Sequence, residues 1–544
     1  ELVELYELME FKSLFSPYHS NNNIKEIFEA SNLLTQRISG RALEEEILAM
    51  VPDYEYNNSP FSALERSVSR IDYRLALDNK GSMSASREEY LEYKECIKDC
   101  RAFIEQAYTN SSIYGISMTV NHNLIRLRQQ LNRLDRLINF IIIDESKSEA
   151  EQNVDFAIEL IKYHSSRNDI GQLLKENTEN IAYEITTHTA KTGEHYITES
   201  GKEYRSMLMK SIGGGVIVGM LCIIKLLLSK VDASQFGHAF YYSMNYSVGF
   251  IAIYLLGFTL ATKQPAMTAA ALIRAIEEDN KKGVIGKENN SSFAELFSRV
   301  FRTQFIAFVG NVFAAFPVSL AIIWGYHYFT GYNMAETKYP ILLNDISPFH
   351  SPLIFHSAIA GVFLFLSGII SGSISNKNKH TNVPYRIAEH PILKLTIGKI
   401  RASKLAVWVD KKWPGVYSNF WFGVFMGTTA SIGAFLGLNL DIRHITFASG
   451  NFALGLFGAE WHVSAKMIFF CILGIGLIGF VNFCVSFALS LFVAFKSRKI
   501  PTGDLKYLGK SVWMYFKSRP YAFFFPVKPS DYFKQMQQKQ ETKK

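Results

Sequence analysis

Long apolar segments recur in the second part of the chain, and polar or basic segments separate them. A helix that crosses a bilayer needs about 20 mainly apolar residues. Segments that meet or approach this length are residues 211–229, 240–260, 304–324, 353–373, 420–438 and 467–494. The pattern predicts an α-helical membrane domain of about six spans over residues 207–500.

The first 206 residues follow a different pattern. Leu127, Leu131, Leu134 and Ile138 repeat at spacings of four and three with charged residues between them, which is typical of an amphipathic helix in a bundle. The chain is therefore predicted to be all-α. We expect a cytoplasmic helical bundle over 1–206, the polytopic membrane domain, and a basic, aromatic cytoplasmic tail over 501–544.

The distribution of lysine and arginine predicts the orientation of the spans. The segments after spans two, four and six hold seven, nine and twelve Lys or Arg residues, whereas those after spans one, three and five hold one, one and two. Cytoplasmic loops carry the excess of positive charge. Both termini are therefore predicted to be cytoplasmic, and membrane topology explains most of the net charge of +8.

A shorter apolar segment, residues 445–458, lies in the predicted outward loop between spans five and six. It is too short to cross a bilayer. Two interpretations stay open: a re-entrant element that lines a cavity, and an interfacial segment that lies at the membrane surface.

Composition excludes several kinds of site. The five cysteines do not form the paired spacing of a zinc site or a disulfide framework. No His-Glu-x-x-His motif, phosphate-binding loop or nucleophile elbow is present. We expect no metal and no cofactor. The chain begins with Glu1 rather than Met, so we expect it to be part of a longer protein.

Polar residues inside the predicted spans are candidates for a pathway, because an unpartnered polar group in hydrocarbon is costly. Asn245, Asn311 and Asn482 lie in spans two, three and six. Polar packing between helices is the alternative role for these amides. At the inner end of span two, Lys263, Gln264 and Thr268 surround a proline and offer further hydrogen-bond donors.

The predicted outward loop holds a second group of candidates. Its Arg443 is a candidate for holding an anionic group, and its histidines and glutamate are candidates for proton exchange. Interfacial capping and anchoring are the alternative roles. The candidate residues of this loop are Arg443, His444, Asn451, Glu460 and His462.

Three stretches resemble a known family. They are FYYSMNY at 240–246, FTLATKQPAMTAA at 258–270 and RHITFASGN at 443–451. They are similar to bacterial membrane proteins catalogued as the site-specific recombinase family, over roughly residues 211–526. The resemblance implies a protein of the inner membrane of Gram-negative bacteria, with a DNA-recombination label on the family.

The label prompts a search for recombinase chemistry. A tyrosine recombinase holds the scissile phosphate with arginines and a histidine and attacks it with a tyrosine. The residues at workable spacings are Arg37, His164, Arg167, His188 and Tyr196. No basic surface of duplex size accompanies them, so the constellation is weak and we do not expect nucleic acid as a partner.

Three hypotheses for function stay open. The leading one is a membrane bundle that binds or moves a small solute or a lipid. The second is a membrane-anchored interaction protein whose cytoplasmic helices bind a protein partner. The third is site-specific recombination. On every hypothesis the lipid bilayer is a partner, and whether the protein is an enzyme stays undecided.

Overall fold

The computed structural model describes residues 2–8, 21–54, 59–78, 83–143, 200–261, 291–497 and 504–527. It also describes isolated positions between 151 and 198, together with Thr268 and Leu272. The chain divides into two compact units, residues 1–181 and 182–544.

The first unit is a helical bundle. Its helices are α1 (Leu2–Leu8), α2 (Asn21–Ala42), α3 (Glu45–Leu48), α4 (Pro60–Asp78), α5 (Glu88–Tyr114) and α6 (Met118–Ile141). Two short strands, β1 (Met83–Ser84) and β2 (Ile142–Ile143), pair in parallel. Leu127, Leu131, Leu134 and Ile138 are fully buried in the core of this unit, which confirms the amphipathic helix that their spacing predicts.

The second unit consists of long apolar helices joined by short ones. They are α7 (Gly201–Leu228), α8 (Gln235–Leu255), α9 (Ser291–Thr330), α10 (Tyr339–Asn344), α11 (Leu353–His380), α12 (Val383–Ala388), α13 (Pro391–Ile397), α14 (Lys399–Leu436), α15 (Ile445–Gly458), α16 (Ala465–Ser497) and α17 (Asp504–Ser518). A short 3₁₀ turn, Pro520–Phe523, follows α17. The described part of the chain is thus nearly all helical, as predicted.

Four of these helices are long and apolar enough to cross a membrane: α7, α9, α11 and α16. They contain the predicted first, third, fourth and sixth spans. The predicted second and fifth spans lie largely in α8 and α14, which are not among the four. Several serine, asparagine and tyrosine residues interrupt the apolar sequence of α8. The membrane character of the unit is supported, whereas the number of six spans stays a prediction.

Glycines allow the long helices to pack closely. A Cβ atom on Gly423 of α14 would lie 2.3 Å from the backbone nitrogen of Ser247 in α8, and one on Gly427 would lie 2.3 Å from that of Ser243. These distances are too short for any larger residue. The spacing of four residues between Gly423 and Gly427 therefore places two backbone contacts on one face of α14.

Residues 522–525, which follow α17, pack against α9 within the second unit. Arg302 of α9 is fully buried and donates hydrogen bonds to the carbonyls of Thr198, Ala522 and Phe525, at 2.6, 3.5 and 3.3 Å. Phe523 packs against aromatic rings of α9. Residues 504–525 of the predicted tail are therefore part of the folded unit.

Candidate functional site

Helix α15 is a short helix buried on nearly every side. All its residues are buried except Asn451, which is partly exposed. It packs against α7, α9, α10 and α16. His444 precedes its first turn, and the imidazole Nδ1 of His444 accepts a hydrogen bond from the backbone nitrogen of Thr446 at 3.4 Å. The apolar segment 445–458 is thus a helix enclosed by protein.

Asn482 of α16 holds the chain at the point where α15 begins. Its amide nitrogen donates to the carbonyls of Ser357 and Arg443, at 2.8 and 3.0 Å. Its amide oxygen accepts from the backbone nitrogen of Ile445 at 3.3 Å. One buried side chain therefore satisfies backbone groups that the break before α15 leaves without helical partners.

Asn311 of α9 has the same role for a second break. Residues 256–261, which follow α8, are not helical. Asn311 donates to the carbonyl of Thr259 at 3.0 Å and accepts from the nitrogen of Ala261 at 3.4 Å. The hydroxyl of Thr446 donates to the Asn311 oxygen at 3.3 Å. Asn311 thus joins two of the stretches that carry the family resemblance, 258–270 and 443–451.

Asn245 of α8 makes a simpler contact. Its amide nitrogen donates to the carbonyl of Leu221 in α7 at 3.1 Å. All three asparagines predicted as pathway residues are buried and bonded to backbone. None of the three lines either of the two cavities described below.

A cavity of about 170 Å³ lies beside the N-terminal half of α15. Side chains from α7, α8, α10, α14, α15 and the segments around Asp345 and Asp441 form its wall. Arg443, His444 and Asn451, which the sequence predicted as site residues, all line it. Its other polar lining includes Lys225, Tyr246, Lys338, Asp345 and Asp441.

Arg443 is enclosed by two carboxylates. Its Nη2 lies 2.9 Å from a carboxylate oxygen of Asp345, and its Nη1 pairs with the carboxylate of Asp441. Its Nε donates to the Asp345 carbonyl at 3.1 Å, and Nη1 also donates to the Ile442 carbonyl at 3.2 Å. The guanidinium is thus already bonded to protein groups.

The pKa values of the two carboxylates shift in opposite directions. Burial raises the pKa of Asp345 above its ordinary value, and the nearby Arg443 offsets this increase only in part. Burial would also raise the pKa of Asp441, but the charges of Arg443 and Lys225 outweigh it and lower this pKa. Asp441 is therefore the more firmly ionised partner of Arg443.

Lys225 lies near the carboxyl end of α7 and faces the cavity. Its ammonium lies 5.5 Å from the ring centroid of Tyr242 and 5.7 Å from that of Tyr246, within cation–π distance. In the part of the chain that the structure describes, no carboxylate oxygen lies within 4.0 Å of it. The structure places Lys225 half-buried in the cavity wall.

The segment that holds Asp441 and Arg443 is anchored to α11. Nε2 of His356 lies 3.0 Å from the carbonyl of Asn439, and the Arg443 nitrogen donates to the His356 carbonyl at 3.3 Å. His356 was not among the predicted residues. Its role depends on a contact across 83 residues of sequence, for which a single sequence offers no signal.

The remaining loop candidates lie elsewhere. His462 lines a second groove of about 620 Å³, together with His350, Lys466 and Phe470. Glu460 is exposed and has a left-handed backbone with φ +51°, in the turn that ends α15. The structure therefore does not bring His462 or Glu460 to the cavity that Arg443 lines.

Several other predicted residues cannot be placed in a site. Arg37 is exposed on α2 of the first unit, and Thr268 is buried. Lys263, Gln264, His164, Arg167, His188 and Tyr196 lie outside the described residues. Among the described residues, no three His, Cys, Asp or Glu side chains form a group that could hold a metal ion.

The fold and its cavity indicate the class of protein to which the chain belongs. The described part of the chain is nearly all helical, with four helices apolar enough to cross a membrane, which fits a membrane protein, and with a charged cavity in the same unit. By comparison with family models, it belongs to the family described as site-specific recombinase, whose model matches residues 1–526. The resemblance inferred from three stretches is thus confirmed, and the match extends into the first unit. Neither a search of curated proteins nor a search of solved structures found a match.

Proposed function

We propose that this protein spans the inner membrane of a Gram-negative bacterium six times and binds a small solute in the cavity beside α15, as a step in moving it across or within the membrane. The observation that carries the proposal is a cavity with a charged wall at the start of a buried short helix. Interrupted helices with polar groups at the break are a recurring way to build a solute site in transporters.

The surface of α8 supports its assignment as a span. Phe236, Phe240, Met244 and Val248 recur every four residues, and their exposed fractions range from 42% to 82%. On the buried side of the same helix, Ser247 donates to the Phe420 carbonyl of α14 at 2.8 Å. An apolar outer face and a polar inner contact are the arrangement that lipid favours.

The proposed topology puts both termini in the cytoplasm and the cavity toward the outer side. Cysteine labelling in a cysteine-free variant tests it. A membrane-impermeant maleimide added to intact cells is expected to label K338C but to label E389C only after permeabilisation. Labelling of E389C in intact cells, or no labelling of K338C, contradicts the proposed orientation.

The size of the cavity favours a small solute over a lipid. A cavity of about 150 Å³ accommodates a molecule of the size of benzene, and this one measures about 170 Å³. Sites for drug-sized ligands begin at about 300 Å³. A whole lipid therefore does not fit in this cavity.

A thermal-shift screen of the purified protein against a panel of small metabolites tests the proposed binding. At least one compound is expected to raise the melting temperature of the wild type. N451F, which fills the cavity, is expected to abolish the shift, whereas N344F, a matched change at an exposed position of the second groove, preserves it. No stabilising compound in the panel, or equal shifts in both variants, contradicts the proposal.

The family description keeps recombination as the third candidate. Its test is Y196F, which removes the only proposed nucleophile and is expected to abolish recombination if that chemistry exists.

An anchored interaction protein is the remaining alternative. Deletion of residues 1–202 with retention of the helices separates it from solute binding, because an anchored scaffold loses its activity with the deleted domain.

A further inference from the structure

We infer that the cavity beside α15 receives a short aliphatic carboxylate, whose charged end contacts Lys225 and whose tail lies among apolar side chains. The inference rests on the proposed solute binding and adds the chemical class of the ligand. It follows from the charges, the committed hydrogen bonds and the size of the cavity.

The formal charge of the wall favours a monoanion. The cavity is lined by the cations Lys225, Lys338 and Arg443 and by the carboxylates Asp345 and Asp441. Three positive charges face two negative ones, so one positive charge remains. A ligand with a single negative charge neutralises the wall, whereas a cationic ligand adds to its excess.

Lys225 is the cation that is available to this ligand. Arg443 is paired with both carboxylates, so its guanidinium is already bonded to protein groups. In the described structure, Lys225 has no ion pair, and the rings of Tyr242 and Tyr246 hold its ammonium at the wall. A positioned ammonium with free donors is a receptor for a carboxylate.

Apolar side chains form another part of the wall. Leu226, Ile341, Leu342, Met426 and Phe447 contribute side chains to it. Inorganic phosphate or sulfate leaves such a surface without a contact, whereas a short hydrocarbon chain covers it. With a volume close to that of a benzene-sized cavity, the ligand has about six non-hydrogen atoms.

The test measures binding of four probes to the full chain in lipid nanodiscs by calorimetry. The probes are butyrate, the uncharged butyramide, propylammonium and inorganic phosphate. Butyrate is expected to bind at least tenfold more tightly than each of the others. Comparable binding of butyramide or propylammonium overturns the carboxylate inference but leaves solute binding intact. Tighter binding of phosphate than of butyrate overturns the inference that the ligand has an aliphatic tail. If no probe binds but the metabolite panel yields a ligand of another class, the inference fails and the proposed function survives.

Substitutions at two lysines of the same region test whether Lys225 contacts the carboxylate of the ligand. K225M is expected to weaken butyrate binding at least tenfold, whereas K225R retains most of it. The matched control is K230M: Lys230 also lies over a tyrosine, 4.4 Å from the ring centroid of Tyr332, but it does not line the cavity. Equal loss in K225M and K230M overturns the role of Lys225. The comparison of probes on the wild type decides the inference if K225M does not fold.

Discussion

Asn482 donates a hydrogen bond to the carbonyl of Arg443 at 3.0 Å, although the two residues belong to different elements. The same side chain accepts from the nitrogen of Ile445 at 3.3 Å. It therefore fixes the backbone on both sides of His444, where the extended segment ends and α15 begins. The orientation of Arg443 toward its two carboxylates depends on this backbone.

The first prediction concerns Asn482. N482L leaves the carbonyls of Ser357 and Arg443 without this donor, so we expect a loss of roughly 1–3 kcal/mol in the free energy of unfolding. The control is S490A, because the hydrogen bond that the Ser490 hydroxyl donates to the Ser486 carbonyl stays within its own helix. Thermal unfolding in detergent measures both. Equal losses in the two variants contradict the bridging role of Asn482.

The second prediction concerns the close contact of α8 and α14. G423A introduces a Cβ atom 2.3 Å from the Ser247 nitrogen, so the two helices have to separate. We expect a marked fall in melting temperature. G325A is the matched control, since no atom lies within 4 Å of the added Cβ in α9, and alanine favours the helix. A melting temperature for G423A at or above that of G325A contradicts the predicted packing.

The third prediction concerns the charges around Arg443. R443M leaves Asp345 and Asp441 facing each other without their common partner, and we expect a loss of about 3 kcal/mol in the free energy of unfolding. The triple variant R443M/D345N/D441N removes the repulsion, so it is expected to recover much of that loss. Chemical denaturation tests this. A triple variant no more stable than R443M contradicts the electrostatic explanation.

The fourth prediction concerns pH. The pKa of Asp345 is raised and that of Asp441 is lowered relative to the ordinary value of 3.8, so Asp345 protonates first as the pH falls. The groups that face Asp345 are Arg443, Asp441, Lys225 and, across the cavity, Lys338. Because a raised pKa means that the fold binds this proton more tightly than the unfolded chain does, Asp345 favours the folded state as it protonates. The lowered pKa of Asp441 has the opposite sign: its contribution is present at neutral pH and is lost only below 3.8.

The measurement compares melting temperatures of the wild type, D345N and D441N from about pH 7 to about pH 4. Asparagine imitates the protonated acid, so the difference between D345N and the wild type is expected to shrink over this range. D441N is expected to remain less stable than the wild type throughout. If the melting temperature of D441N approaches that of the wild type at a higher pH than that of D345N does, the assignment of the raised and lowered pKa values is reversed.

Local sequence patterns determined much of the fold. The apolar segments predicted the long helices because a chain in lipid has to satisfy its backbone internally, and the heptad-like spacing of Leu127 to Ile138 predicted α6 because helical periodicity is local. The stretches around Tyr242, Thr259 and Arg443 identified the family. Arg443, His444 and Asn451 were also recognised as candidates, because polar residues beside an apolar segment are unusual.

Only the tertiary structure decided what those residues contact. Asp345 lies 98 residues from Arg443 in sequence, and its pairing follows from the way α10 and α15 pack, which no local pattern encodes. The same holds for Lys225, whose place in the cavity depends on Tyr242 and Tyr246 of a neighbouring helix. The order of residues in the sequence placed charged groups next to apolar segments. The packing of distant segments decided that two carboxylates neutralise Arg443 and that Lys225 faces the cavity.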